Sequence, residues 1–119
     1  MSLLVDRIIR DFAAPQSVST LTVLFPFETF GERLAALSIY CINLGADPVT
    51  FTLEGSETGT NTDPEKTFVK VAEPGQQISF DLADGNMMVT HWRLSANTPD
   101  PTFPVSTVKY RVKGQVQKG

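Results

Sequence analysis

The chain is 119 residues long, with 41% hydrophobic residues, 19% charged residues and a net charge of −3. That length suits one domain with one core, and the apolar fraction excludes disorder driven by low hydrophobicity. No run reaches the roughly 18 apolar residues of a membrane-spanning helix. The lone Cys41 and lone His91 exclude an internal disulfide framework and a multi-cysteine or multi-histidine metal centre.

Residues 3–12 read Leu-Leu-Val-Asp-Arg-Ile-Ile-Arg-Asp-Phe. Leu4, Val5, Ile8, Ile9 and Phe12 fall at helical spacing, with Asp6–Arg10 and Arg7–Asp11 as i,i+4 pairs. The spacing predicts a short apolar arm or helix over 1–16, with a paired strand as the alternative, ahead of a domain over 17–119. Ten residues are too few for an isolated helix, so this segment has to be covered. Either a neighbouring subunit or the chain's own sheet edge would do so.

From residue 17 on, the pattern changes to period two, and Val, Ile and Thr supply 29 of the 119 residues. Leu21, Val23 and Phe25 share one face of a first strand. Residues 34–44 are apolar on both faces, which predicts a central strand or a covered outer face. After a turn at 43–48, Val49, Phe51 and Leu53 alternate inward. A polar loop over 54–66 precedes a short strand at 68–71, which a Pro-Gly turn at 74–75 ends. Ile78, Phe80 and Leu82 line the next strand, and Trp92, Leu94 and Ala96 the one after it. Three prolines stiffen 97–104 before a last strand with Val108, Tyr110 and Val112 inward and Lys109, Arg111 and Lys113 outward. About eight strands at this spacing predict an all-β fold: a two-sheet antiparallel β-sandwich, immunoglobulin-like or jelly-roll. Its expected core is Leu21, Val23, Leu37, Ile39, Val49, Phe51, Ile78, Phe80, Trp92, Leu94, Val108 and Tyr110.

Charge is uneven along the chain. Residues 44–104 hold nine acids against three bases, whereas residues 105–119 hold four bases and no acid. The acidic middle argues against a nucleic-acid partner. The basic stripe Lys109, Arg111 and Lys113 reads in two ways: as protection of an edge strand, or as a row of cations meeting an acidic neighbour, including a second copy.

Chemistry is sparse. Cys41 lies in the most apolar strand, where a thiol is inert, and nothing in the sequence joins it to His91. No phosphate-binding glycine loop is present. The acids fall mostly in turns or on outward positions, where a carboxylate is merely solvated. The 54–66 loop carries oxygen ligands but lacks the EF-hand order, so an exposed polar loop and a calcium site are the two readings. Trp92 could stack on a sugar, although its face, shared with Leu94 and Ala96, favours the core. The expectation is a protein with no catalytic residues, no cofactor and no metal.

The start of the chain meets Asp6 and Arg7 too soon for a secretory signal. A protein kept in a cytoplasm, or released by lysis, is expected.

The stretches Leu37-Ser-Ile-Tyr-Cys-Ile-Asn-Leu-Gly45, Pro48-Val-Thr-Phe-Thr-Leu-Glu-Gly-Ser56 and Glu73-Pro-Gly-Gln-Gln-Ile-Ser-Phe-Asp-Leu82 resemble immunoglobulin-like sandwiches of the accessory and adhesion kind. The likeness covers roughly 37–96. Small stand-alone sandwiches of this type are similar to phage virion proteins: capsid decoration, head–tail and tail components. That resemblance implies a structural virion protein, made in the host cytoplasm, whose partners are itself and other virion proteins, with no nucleic acid and no membrane. The interface would use Leu4, Val5, Ile8, Ile9, Phe12, Lys109, Arg111 and Lys113. The alternative is a carbohydrate- or surface-binding module.

Overall fold

A computed structural model describes residues 3–10, 16–18, 22–29, 34–57, 66–83, 89–98 and 106–118. Side chains are described for all of these except 3–7, 9–10, 34–35, 106 and 116–118. The described residues form nine strands: β1 Leu3–Arg10, β2 Gln16–Val18, β3 Thr22–Glu28, β4 Leu34–Asn43, β5 Val49–Ser56, β6 Lys66–Ala72, β7 Gln77–Ala83, β8 His91–Asn97 and β9 Ser106–Lys118. All pairings are antiparallel.

One sheet, here sheet A, runs β1-β9-β4-β7, and β2 also pairs β9. Sheet B runs β3-β8-β5-β6. β1 pairs residues 112–118 of β9 and β2 pairs residues 106–108, so the two lie end to end as one interrupted row. Eight rows result, four per sheet. They nest from the outside in: β1/β2 with β9, β3 with β8, β4 with β7 and β5 with β6. A long two-stranded ribbon rolled on itself gives this nesting. It is the jelly-roll order rather than the immunoglobulin order.

The segment 3–12 is therefore not a helix where it is described. Leu3–Arg10 is a strand on β9, the paired-strand alternative, and the chain's own sheet edge covers it. A period of two cannot gather positions 4, 5, 8 and 9 on one face as a helix would. Phe12 lies outside the described residues, as do the side chains of Leu4, Val5 and Ile9.

Alternation builds the core between the sheets. Leu37, Ile39 and Cys41 of β4 and Val108, Tyr110 and Val112 of β9 are buried from sheet A. Val49, Phe51 and Leu53 of β5 and Trp92, Leu94 and Ala96 of β8 are buried from sheet B. Phe25 of β3 meets Tyr110 across the gap, with ring centroids 5.5 Å apart. As its two apolar faces require, β4 lies inside its sheet, between β9 and β7.

Two expected core positions differ. Val23 is 49% exposed, because the register slips by a residue between Val23 and Phe25, so Leu24 and Phe25 are buried in succession. Ile78 is only partly buried and packs against the rim of the core. Leu21 lies outside the described residues.

Candidate functional site

The outer face of sheet A carries the basic stripe. With Val108, Tyr110 and Val112 buried, alternation leaves Lys109, Arg111 and Lys113 half-buried on the opposite face of β9. Of the two readings of the stripe, edge protection fails. β9 lies between β1/β2 and β4, so the cations stand mid-sheet rather than guarding an edge. On β4, Ile42 faces Lys109, Tyr40 faces Arg111 and Ser38 faces Lys113, while on β1 Ile8 faces Lys113 and is 50% exposed.

One strand further, β7 sets Asp81 opposite Ser38. Its carboxylate accepts hydrogen bonds from Ser38 Oγ at 2.9 Å and from Ser79 Oγ at 3.0 Å. Ser38, Tyr40, Asp81, Lys113 and Gln115 border a shallow open groove of about 330 Å³, with Ala36 and Ala83 in its lining. Among the described side chains the face is thus polar and predominantly cationic, with one acid at its β7 side.

The outer face of sheet B is braced. Glu54 of β5 and Arg93 of β8 are direct cross-strand neighbours. Arg93 Nε donates to Glu54 Oε1 at 3.1 Å, and its Nη2 forms an ion pair with the same oxygen. The guanidinium also lies 4.6 Å from the centroid of the Phe27 ring on β3, so one side chain ties three strands together. Opposite charges at outward positions of adjacent strands make such a brace, and only the pairing of β5 with β8 brings these two together.

No catalytic constellation forms from the residues weighed for one. Cys41 is fully buried on β4 in sheet A, and burial pushes its thiol far above the ordinary range. His91 sits on β8 in sheet B, where its Nδ1 is 2.9 Å from Thr90 Oγ1. Thr90 Oγ1 in turn donates to the Glu57 carbonyl at 3.2 Å. Trp92 is 2% exposed and stacks in the core beside Phe68, at 6.4 Å between centroids. It offers no sugar platform. Most of the 54–66 loop lies outside the described residues, and among those described no group of three or more His, Cys, Asp or Glu is placed to hold a metal ion. No helix of the described residues is long and apolar enough to cross a membrane.

No protein-family model matches the sequence, and no curated protein matches it either. Among solved structures the chain is similar to one from Bacillus, of endospore appendages described as a novel family of disulfide-linked pili. The TM-score is 0.55 at 13% identity, and the match covers 100% of this chain and 92% of the other. At that identity the likeness is one of fold. It spans the whole two-sheet domain.

Proposed function

We propose that the chain is a non-enzymatic structural subunit that associates with copies of itself into a larger assembly. The observation that carries the reading is the fold shared along its full length with a pilus protein. The inert Cys41 and the uneven charge of the sequence agree with it. The setting proposed from the sequence resemblance is a phage particle, as a decoration, connector or tail component made in the host cytoplasm.

Whatever the setting, the linkage differs from that of the Bacillus pili. This chain has one cysteine, and it is fully buried in the core. A polymer of it would be held by packing, pairing and charge, and would survive reducing agents.

Light scattering and negative-stain electron microscopy of the purified protein test the reading. Ordered oligomers, filaments or lattices that persist in reductant are the expected result. A monodisperse monomer over the whole accessible concentration range would overturn it.

A second reading, a carbohydrate- or surface-binding module, is favoured by the sheet A groove. There Tyr40 offers a ring beside Ser38, Asp81, Lys113 and Gln115. A monomer that binds glycans, and loses binding on Tyr40→Ala, would select it.

A further inference from the structure

Two stacked sheets have four outer rows, and the four in this fold are unequally suited to receive another strand. The β1/β2 row is interrupted and its register slips between Ile8 and Arg10. β3 carries Pro26, which has no N–H to offer, and two register slips. On β7 the Ser79 carbonyl already accepts Lys70 Nζ at 2.7 Å. The fourth row, β6, shares with β7 an unbroken register and the absence of proline. It differs in presenting exposed valines on its outer face, where β7 presents Gln77, Ser79 and Asp81. All seven residues of β6 pair β5. Among the described residues its other side pairs no strand. On its outer face Val69 is 58% exposed and Val71 50% exposed.

We infer that the open edge of β6 is a self-docking surface: β6 of a second copy pairs with it antiparallel about a two-fold axis at Val69. Two four-stranded sheets B would become one sheet of eight strands. The inference rests on the self-association reading and names one contact within it.

The register follows from the sequence of the strand. A two-fold axis at Val69 pairs all seven residues: Lys66 with Ala72, Thr67 with Val71, Phe68 with Lys70 and Val69 with itself. The exposed valines and Thr67 then form one continuous β-branched ridge across the junction, which is how cross-strand pairs stabilise a sheet. An axis at Phe68 sets Lys66 against Lys70, and an axis at Lys70 sets that lysine against itself, so both place like charges directly opposite. Axes at Thr67 or Val71 avoid this but pair fewer residues. A slip by one residue turns the apolar ridge to the other face. Lysines on an edge usually discourage pairing. Here the exposed Lys70 side chain is engaged towards β7, on the Ser79 carbonyl and 5.8 Å from the centroid of the Phe80 ring.

Cysteine cross-linking tests the contact and its register together. In Val69→Cys the two introduced thiols face each other across the axis, at the roughly 5 Å Cβ separation of opposed residues, close to what a disulfide needs. In Val71→Cys they are about four residues apart along the strands, roughly 13 Å. Buried Cys41 does not compete in the native protein. Mild oxidation of the full chain is expected to give a reducible covalent dimer for Val69→Cys, at least about tenfold more than for Val71→Cys. Val69→Asp sets two carboxylates together and is expected to weaken the non-covalent contact by about tenfold or more in sedimentation. Cross-linking at neither position, or at Val71→Cys as readily as at Val69→Cys, overturns the contact. If the wild-type protein still assembles when that happens, the self-association reading stands without it.

Discussion

Gly55 of β5 lies directly opposite Trp92 of β8, and the indole fills the space where a side chain on Gly55 would stand. A Cβ there would come within 2.6 Å of Trp92 Cζ3 and 2.9 Å of Val89 Cγ1. Such distances force the ring, the largest fully buried side chain, to shift. Gly55→Ala is expected to destabilise the fold by about 1–3 kcal/mol through overpacking, read as a lower urea midpoint. Gly75 is the contrasting case. Its φ is +79° and nothing lies within 4 Å of its added Cβ, so Gly75→Ala should cost only the left-handed backbone term of about 1–2 kcal/mol. Gly75→Asn should recover part of that. Equal recovery by Gly55→Asn would disprove the steric account.

Asn43 joins two turns at one end of the sandwich. It is fully buried, and its Nδ2 donates to the carbonyls of Asp47 at 2.7 Å and Ala72 at 3.0 Å. Its Oδ1 accepts from Gly45 N at 2.9 Å, and its backbone pairs with Gly75 and Gln76. Asn43→Ala removes all three side-chain hydrogen bonds from a fully buried position and is expected to cost about 2–3 kcal/mol. Asn43→Asp keeps the acceptor for Gly45 but turns a carboxylate towards two carbonyls. At neutral pH it should be no more stable than the alanine variant. A midpoint near that of the wild type for Asn43→Asp would sink the proposed donor role.

Most of the core was legible from alternation, because each of β5, β8 and β9 keeps its period over several residues. Val49, Phe51, Leu53, Trp92, Leu94, Val108 and Tyr110 are buried as that period requires. Legibility ended where the period is broken or shared. A bulge inserts one residue without any mark in composition, and so Val23 and Leu24 exchanged places. Leu4, Val5, Ile8 and Ile9 fit a helix by spacing, yet β9 offered an edge, and pairing there decided the matter. Alternation also says which face Lys109, Arg111 and Lys113 occupy but not which strands flank them, so a mid-sheet stripe was indistinguishable from an edge. The Glu54–Arg93 brace needed a register that no local pattern contains.

Cys41 should give the fold a signature in alkali. Its thiol ionises near 9 when exposed, and burial holds it protonated in the native state well above that value. The unfolded chain therefore loses a proton that the folded chain keeps. Stability is fully present below the ordinary thiol pKa and falls as pH rises above it, by up to about 1.4 kcal/mol per pH unit for one proton. Unfolding midpoints measured from pH 7 to 10.5 should show this slope in the wild type. Cys41→Ala should start lower, because of the cavity, and lack that component of the slope. Native protein should also resist thiol reagents that label it fully in denaturant. Identical slopes for the two proteins would remove Cys41 as the cause.

Removing β1 separates a strand of the domain from a detachable arm. Residues 3–10 pair with β9 from Val112 to Lys118, and that row closes one side of sheet A. Without it the end of β9 becomes an open edge, and Ile8 no longer flanks Lys113. Net hydrogen bonds of about 1 kcal/mol each are a large share of a total stability of roughly 5–15 kcal/mol. Deletion of residues 1–10 is thus expected to lower the urea midpoint clearly and to speed amide exchange along 112–118. It should also promote disordered aggregation through the bared edge. A free arm would behave otherwise, leaving the midpoint and exchange unchanged while only assembly was lost. That result would show the β1–β9 pairing to be dispensable for folding and would return this segment to the role of a subunit contact.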